Sequence, residues 1–429
     1  MDKGYIFYAD IIHPDVPLLP VTLLAIFNAF GFSVHVLQWF TWILIVSIDI
    51  LVFSLSRKFF NLRLSYVLTF VYIIFQTALE GNGLWFDLAI TPFFLLSFYF
   101  LYTYCKDKKS KNVIGAGTIL GLALLIKLSA ILVIAPLALY ILYRYRQMVW
   151  YFGLSVIISF LLGFLAIDVV VDLGSLNEIG YWGVYYPLFV MARMPGYIRT
   201  PTFSQFMRTA LVFLPFVTVL PLIFKKQNEK IHILAIFFLA SLLFSAHRFD
   251  YFHLQPAIPF FVLLLGYGLV HIQSSQKYAR GLLIGTTGLS FALIAFIFAL
   301  SIHRNWNRES RFFDTAVYDE ATQLKTSIPP AATAYFHNTP SQYMVASGIL
   351  PVKPWADTFP WYMELPGMQD TIISSMEKET VEWVIVSEFL EGDRYDLGVY
   401  NPSIIDDYIH SHFDKYREVN ERITIFRRK

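Results

Sequence analysis

Cysteine and charged residues are both scarce in this sequence of 429 residues. The single cysteine, Cys105, excludes an internal disulfide framework. Only 15% of the residues are charged whereas 56% are hydrophobic, and the mean hydropathy is +0.55. A soluble protein has about 25% charged residues, so these proportions exclude an ordinary soluble protein.

The sequence also lacks the short motifs of soluble nucleotide and metal chemistry. It contains no Gly-rich phosphate loop, no CxxC pair, no GxSxG elbow and no HExxH. His247, Asp250 and His253 share one loop, but their spacing is not that of a metal-binding signature. We therefore expect neither a nucleotide site nor a bound metal.

Long apolar runs occupy most of the first three hundred positions. Runs of roughly 16–22 residues are long enough to cross a bilayer, which indicates a polytopic membrane protein. We predict ten transmembrane helices, near residues 37–56, 65–80, 89–105, 113–128, 129–144, 149–170, 208–224, 231–246, 254–272 and 281–302.

The distribution of basic residues supports this assignment. Lys and Arg near the ends of spans concentrate on the cytoplasmic side of a membrane. Five alternate loops hold 14 of the 20 basic residues that precede residue 303. The other loops, which are poor in basic residues, are therefore predicted to face outward, as are both ends of the chain.

Two apolar segments outside these spans are predicted to form helices at the membrane interface. Residues 14–32 end at Gly31 and are short for a free-standing span. The outward loop at 171–207 contains EIGYWGVYYPLFVMARMPGY, whose aromatic residues have near-helical spacing. Its aromatic residues could stack on a sugar ring, but an interfacial aromatic belt is the favoured interpretation. They are Tyr181, Trp182, Tyr185 and Tyr186.

The composition changes after residue 302. Residues 303–429 carry 19 acidic and 13 basic residues, whereas the rest of the chain carries 12 and 20. The alternating VEWVIVSEF at 381–389 and the terminal ERITIFRRK predict strands. Ser403, after Pro402, begins a pattern typical of a helix. We predict three parts: a first outer loop with a juxtamembrane helix at 1–36, a transmembrane domain at 37–302 and a small extracytoplasmic α/β domain at 303–429.

Acidic residues within or beside the spans are candidate functional groups, because ionisable groups are costly there. Asp87 is at the head of a predicted span, where it could also cap the helix and interact with its dipole. Glu80, at the other side of the same loop, is more simply explained as a solvated span end. Asp49 lies in mid-span, where we expect a buried structural hydrogen bond rather than catalysis.

Two basic residues could recognise phosphate. Lys127, in GLALLIKLSAIL, must either extend to the outer headgroups or meet an anion. Arg248, in SAHRFDYFHLQPAIPF, offers a planar donor fork that suits phosphate. The alternative for Arg248 is an ordinary interfacial loop that contains an Arg–Asp pair.

The order of residues in the first outer loop resembles the order found in the corresponding loop of a known family. The loop reads GYIFYADIIHPDVPLLPVTLLAIFNAFG. The matching residues are Gly4, Tyr8, Asp10, His13, Pro14, Pro17, Leu18 and Gly31. Asp87, the segment GTILGLALLIKLSAIL with Lys127, and RFDYFHLQPAIPF fit the same pattern. The chain resembles the membrane-embedded glycosyltransferases of the GT-C superfamily. It is most similar to the dolichyl-phosphate-mannose-protein mannosyltransferase type and to its bacterial relatives that use polyprenyl-phosphate sugars.

The resemblance implies a GT-C-like polytopic α-helical membrane protein with about ten transmembrane helices and a C-terminal extracytoplasmic α/β domain. It implies transfer of a sugar from a polyprenyl-phosphate donor to an acceptor on the outer face. Family members have an additional first span followed by an acidic catalytic base, and both would lie upstream of Met1. Asp10 and Asp15 are the fallback candidates for that base within this sequence.

The resemblance also implies roles for individual residues. Asp87 would position the acceptor or act as an auxiliary base, and Lys127 and Arg248 would bind the donor phosphate. The remaining substrate-binding candidates are His13, His253 and Glu80. The donor is already activated, so no cofactor and no metal are expected. The expected partners are a lipid-linked sugar donor, an acceptor that is a protein, lipid or glycan, and the plasma membrane, with no nucleic acid.

Two rival functions stay open at this point. A transporter or flippase of a lipid-linked sugar would also need many spans and intramembrane charge, although such proteins often show inverted repeats and broken helices. A non-catalytic interaction protein, derived from a truncated relative, would explain the lack of the expected acidic base.

Overall fold

The computed structural model describes most of the chain, namely residues 1, 3–194, 197–225, 228–246, 248–271, 277–305, 313, 315–330, 332–356, 360–387 and 402–429. The contacts divide the chain into two compact units. The helical unit consists of Asp15–Val170 and Arg199–Trp306. The sheet unit combines three separate segments, Met1–Pro14, Val171–Ile198 and Asn307–Lys429.

Helices make up most of the described residues. In chain order they are α1 (Leu18–Phe30), α2 (Val34–Phe59), α3 (Leu62–Ala78), α4 (Phe86–Asp107), α5 (Ser110–Leu124), α6 (Ile131–Arg144), α7 (Met148–Val171), α8 (Leu176–Gly180), α9 (Phe203–Phe213), α10 (Pro215–Lys225), α11 (Glu229–Leu242), α12 (Ile258–His271), α13 (Lys277–Asn305), α14 (Thr315–Ser327), α15 (Ser341–Ser347), α16 (Pro360–Met363), α17 (Met368–Lys378) and α18 (Ser403–His412). Short 3₁₀ turns are Leu128–Ala130, Met191–Arg193, Leu243–Ser245 and Tyr251–Leu254.

Every predicted span overlaps a helix or a pair of helices in the helical unit. Four helices are long and apolar enough to cross a membrane: α2, α4, α7 and the part of α13 at Arg280–His303. The pair α9–α10, bent by 50°, would be a fifth. Other apolar helices, such as α5 and α6, are shorter than the about 20 residues that a crossing needs. The number of ten spans therefore stays a prediction.

The helical unit is packed around aromatic residues and close helix pairs. Phe94, Phe98 and Phe260 are fully buried in its core. A Cβ added at Gly117 of α5 would lie 2.0 Å from the hydroxyl of Ser155 on α7. Small residues allow backbones to approach this closely in membrane helices. The backbones of α5 and α7 are therefore in close contact at Gly117.

The expected helix at 14–32 is present as α1. Gly31, directly after α1, has φ of 86°, and its amide donates to Phe27 O. This left-handed conformation is easy only for glycine. Ser33 and Asn61 cap the next two helices by accepting hydrogen bonds from Val36 N and Leu64 N. The starts and ends of these helices are thus encoded locally.

A mixed five-stranded sheet forms the centre of the sheet unit. The sheet unit contains seven described strands, five of which belong to this sheet. In chain order the seven are β1 (Ile11–Ile12), β2 (Thr333–His337), β3 (Leu350–Pro351), β4 (Trp355–Ala356), β5 (Trp383–Ser387), β6 (Phe413–Glu418) and β7 (Ile423–Arg428). The sheet order is β3-β2-β5-β7-β6, in which β2 is parallel to β3 and β5, while β7 is antiparallel to β5 and β6. β1 and β4 form a separate parallel pair.

The three local predictions for this region agree with the structure. β5 lies within the strand predicted at 381–389, of which residues 388 and 389 are outside the described residues. β7 is the terminal predicted strand, and α18 begins at Ser403. The location of this unit outside the membrane stays a prediction.

The aromatic segment at 171–207 is helical but differs from a simple interfacial belt. After α8 it continues as a π-helix at Tyr181–Val190. Trp182 and Tyr186 are buried, and the ring of Tyr186 stacks on Tyr362 at 5.6 Å between centroids. The belt prediction is therefore wrong for these two residues, because their rings pack inside the sheet unit. Tyr185 is 51% exposed.

Candidate functional site

Asp87 lies in the first turn of α4 and is fully buried. The residue that caps this helix, Trp85, makes no side-chain capping bond. The Asp87 carboxylate is likewise engaged by side chains from other elements rather than by the free amides of α4. The capping explanation for Asp87 is thus replaced by side-chain ion pairing, although the helix dipole still favours a negative charge at this end.

Lys127 lies in a break between α5 and α6. Its backbone is extended, with φ of −157° and ψ of 122°. The predicted spans at 113–128 and 129–144 therefore meet at an interruption that begins after Leu124. The carbonyl of Leu125 in the break accepts a hydrogen bond from Leu18 N at 2.9 Å, which provides a partner outside the helix. The break turns the lysine side chain toward α4.

Asp87, Lys127 and His253 form one compact group, which we call the Asp87 cluster. Nζ of Lys127 lies 2.8 Å from Oδ1 and 2.8 Å from Oδ2 of Asp87. Nδ1 of His253 lies 2.9 Å from Oδ2 of Asp87 and 3.4 Å from Nζ of Lys127. The exposed fraction is 0% for the Asp87 side chain, 18% for Lys127 and 11% for His253. Buried charges of this kind are tolerated because they are paired.

His253 belongs to the 3₁₀ turn Tyr251–Leu254, ahead of α12. The ring of its neighbour Phe252 packs on Trp85, with 4.6 Å between centroids. This contact joins the turn to the start of α4. Burial lowers the pKa of His253 below its usual 6.5; the charge of Asp87 opposes this shift, and the charge of Lys127 adds to it.

A glutamine pair, missed by the sequence analysis, holds the loop that leads into α4. The side-chain amide of Gln255 donates to Gln76 O at 3.2 Å and to Leu79 O at 2.5 Å. The amide of Gln76 in turn donates to Gly81 O. Both glutamines are buried. The only signal in the sequence was the presence of two amide side chains at the ends of apolar segments.

Arg248 and Glu80 are not hydrogen-bond partners of Asp87. The backbone of Arg248 pairs in parallel with Arg199, and the next amide, Phe249 N, donates to Arg199 O at 2.8 Å. Glu80 occupies a left-handed turn with φ of 61° and is half-buried. Their roles in substrate binding stay predictions.

Asp10 and His13 lie in the sheet unit. Oδ2 of Asp10 lies 2.9 Å from Nζ of Lys353 and accepts a hydrogen bond from Ile6 N at 2.9 Å. Trp355 N donates to the Asp10 carbonyl, next to the β1–β4 pair. His13 packs edge-on against Phe7. The carboxylate of Asp10 is therefore used as an anchor for the first outer loop, which argues against its use as a base.

The expected structural hydrogen bond of Asp49 is not made by its Oδ1 atom among the described residues. This atom is buried and accepts no hydrogen bond from the residues that the structure describes. Within the same residues, no group of three or more His, Cys, Asp or Glu side chains could hold a metal ion. The Asp87 cluster itself has two such side chains and an ammonium, which repels a cation.

Comparison with known proteins gives a family match over part of the sequence. The sequence model of the dolichyl-phosphate-mannose-protein mannosyltransferase family matches residues 13–171, which include Asp87 and Lys127. No curated protein matches the chain by sequence.

Solved structures with the same fold extend the similarity over nearly the whole chain. ArnT from Cupriavidus metallidurans, bound to undecaprenyl phosphate, has a TM-score of 0.60 at 12% identity, and the match covers 96% of this chain and 87% of ArnT. This chain has the fold of ArnT. The apo form of the same ArnT matches this chain with a TM-score of 0.61 at 12% identity, and the match covers 97% of this chain and 88% of ArnT.

A third solved structure adds a more distant example. The archaeal oligosaccharyltransferase AglB from Archaeoglobus fulgidus, in complex with an inhibitory peptide and a dolichol-phosphate, has a TM-score of 0.54 at 12% identity. The match covers 99% of this chain and 68% of AglB. At this level of identity the similarity establishes the fold.

Proposed function

We propose that the chain is an integral membrane glycosyltransferase that transfers a sugar from a polyprenyl-phosphate donor to an acceptor on the extracytoplasmic face of the plasma membrane. The observation that carries this proposal is the convergence of Asp87, Lys127 and His253 from three separate elements of the helical unit. Two proteins of the same fold are described in complex with polyprenyl phosphates, undecaprenyl phosphate for ArnT and dolichol-phosphate for AglB. The donor proposed here belongs to that chemical class.

Lys127 supplies positive charge to the donor phosphate in this proposal. Its ammonium has three N–H donors, and two of them are directed at the oxygens of Asp87. The third donor is available to a phosphate oxygen. Since the charges of Asp87 and Lys127 cancel, the leaving phosphate needs a second cation, and we assign this role to Arg248.

The transferred sugar can be a hexose or a pentose. The acceptor can be a protein, a lipid or a glycan. No cofactor or metal takes part in the proposed reaction, because departure of the phosphate is assisted by cationic side chains. The Asp87 carboxylate organises the site by fixing Lys127 and His253.

A transfer assay tests the proposal against the transporter and the non-catalytic alternatives. Membranes that contain the protein are incubated with a radiolabelled polyprenyl-phosphate sugar, and the label is followed. We expect the label to reach an acceptor. Label that only crosses the bilayer would identify a transporter, and label that does neither would identify a non-catalytic protein.

Asp87→Asn connects the activity to the cluster. The neutral side chain keeps its shape but loses the charge that holds Lys127, so we expect transfer to be abolished. Asp49→Asn is the matched control, because it makes the same change in a carboxylate outside the cluster. Transfer at the wild-type rate by Asp87→Asn would remove Asp87 from the site.

A further inference from the structure

We propose that His253 is the general base of the transfer reaction and that its Nε2 atom accepts the proton of the acceptor hydroxyl. This inference rests on the proposed function, and it adds a role that the fold similarity does not assign. It follows from three features of the Asp87 cluster: the orientation of the imidazole, the saturation of the Asp87 oxygens and the partial exposure of the ring.

The hydrogen bond to Asp87 defines which nitrogen of His253 is free. An ionised carboxylate only accepts hydrogen bonds, so Nδ1 of His253, at 2.9 Å from Oδ2 of Asp87, carries the proton. In the neutral ring, Nε2 then has a free lone pair. Nε2 makes no hydrogen bond to any residue that the structure describes. A carboxylate that orients an imidazole in this way is a known arrangement for a general base.

Asp87 is poorly placed to act as the base itself. Its side chain has no exposed surface, and Lys127 lies 2.8 Å from both of its oxygens. Oδ2 also receives the hydrogen bond from His253. An acceptor hydroxyl would have to displace one of these partners. The His253 side chain, in contrast, is 11% exposed.

Burial keeps the imidazole of His253 neutral near pH 7, and three charged groups face it. Asp87 faces it from α4, Lys127 faces it from the break before α6, and Asp250 lies on its own segment. Burial lowers the pKa of His253, the two carboxylates oppose this effect, and the ammonium of Lys127 adds to it. A neutral imidazole is the form that can accept a proton.

In the proposed step one bond to C1 of the sugar forms while another breaks. The acceptor oxygen forms a bond to C1 of the sugar, while the bond between C1 and the phosphate oxygen breaks. The electron pair of that bond leaves with the polyprenyl phosphate, whose additional negative charge is stabilised by Lys127 and Arg248. The acceptor proton moves to Nε2 of His253, and the resulting imidazolium is stabilised by Asp87.

The test uses the full chain in lipid vesicles that contain a polyprenyl-phosphate sugar and an acceptor. In His253→Asn the amide nitrogen can still donate to Asp87, but the basic Nε2 is lost. We expect the transfer rate to fall by about 10²- to 10⁴-fold while the melting temperature stays close to that of the wild type. His35→Asn is the matched control, because His35 is an exposed histidine whose ring contacts only Gln38 in the described residues.

Two further measurements separate a base from a structural residue. Added imidazole should restore transfer to His253→Gly, increasingly so as the pH rises and the free imidazole becomes neutral. The wild-type kcat/KM should fall at acid pH as His253 is protonated, with an apparent pKa below about 6.5. A kcat/KM that does not fall on acidification, down to the lowest pH at which the wild type stays folded, would overturn the inference even if the variants fail to fold.

The outcomes distinguish this inference from the proposed function. If His253→Asn retains more than about a third of the wild-type transfer rate, the loss is smaller than removal of a general base would cause. This outcome overturns the role of His253 alone. Absence of transfer by the wild type, with every donor sugar tried, overturns both.

Discussion

The ammonium of Lys127 lies 2.8 Å from both carboxylate oxygens of Asp87, although 40 residues separate the two in the chain. Asp87 has no exposed side-chain surface, so this ion pair is the main compensation for burying its charge. A buried pair of this kind makes each partner dependent on the other. Four predictions concern the stability of this cluster, of the loop before α4 and, separately, of the first outer loop in the sheet unit.

Lys127→Met should destabilise the helical unit strongly. Loss of the ammonium leaves the Asp87 carboxylate buried with His253 as its one remaining side-chain partner among the described residues. Removal of one member of a buried pair costs about 3–5 kcal/mol. The measurement is thermal unfolding in detergent. In the double variant Asp87→Leu with Lys127→Met, most of the lost stability should return while transfer stays absent. Additive destabilisation in the double variant would contradict a direct ion pair.

The stability should depend on pH through His253. Because burial places the pKa of His253 in the fold below 6.5, the folded protein binds this proton less readily than the unfolded chain does. The contribution of His253 is therefore complete above pH 6.5 and is lost as the pH falls through the pKa of the folded state. The measurement is the melting temperature between about pH 5 and 8, compared between the wild type and His253→Asn. A variant that loses stability on acidification as steeply as the wild type would show that other groups control the effect.

Gly81→Ala should destabilise the loop that leads to α4. A Cβ at this position would lie 2.4 Å from Oε1 of Gln255 and 2.6 Å from Gln76 O. The overlap forces the glutamine pair apart, and overpacking of this kind costs about 1–3 kcal/mol. Gly153→Ala in α7 is the control, because a Cβ there meets no atom within 4 Å. Equal melting temperatures for the two variants would contradict the close packing at Gly81.

Lys353→Met should loosen the first outer loop within the sheet unit. Nζ of Lys353 bonds to Asp10 and to Gly4 O, and it lies 4.6 Å from the centre of the Tyr5 ring. The side chains of Lys353 and Asp10 are 34% and 23% exposed, so the pair contributes about 0.5–1 kcal/mol. We expect faster cleavage of residues 4–12 in limited proteolysis. Lys415→Met is the control, because Lys415 and its partner Glu418 are both 56% exposed. Cleavage at the same rate in both variants would show that the loop is held by its backbone pairing alone.

Periodic signals in the sequence were sufficient to predict the helices and several strands. The apolar runs correspond to helices, and the alternation around Trp383 corresponds to β5. Gly31 marks the end of α1 because its backbone has a positive φ. Each of these features depends on residues that are close together in the chain, so a single sequence contains the necessary information.

Tertiary contacts explain the features that were not predicted. The residues from Leu125 to Ser129 contain neither proline nor glycine, and the carbonyl of Leu125 in the break accepts its hydrogen bond from Leu18 N, which is distant in the chain. Asp87, Lys127 and His253 were each identified as candidates, but their mutual contacts span 40 to 166 residues. A local sequence pattern contains no information on contacts between residues so far apart in the chain. The same reason explains why the Gln255–Gln76 contact was missed.

The hydrogen bond from Leu18 N to Leu125 O has a mechanical consequence for the lysine two residues further on. The first amide of α1 is tied to the turn at Leu125, which directly precedes Ile126 and the extended Lys127. A tilt of α1 would pull on this turn and change the distance between Lys127 and Asp87. A displacement of α1 can thus reach the charge at the centre of the site through this main-chain bond.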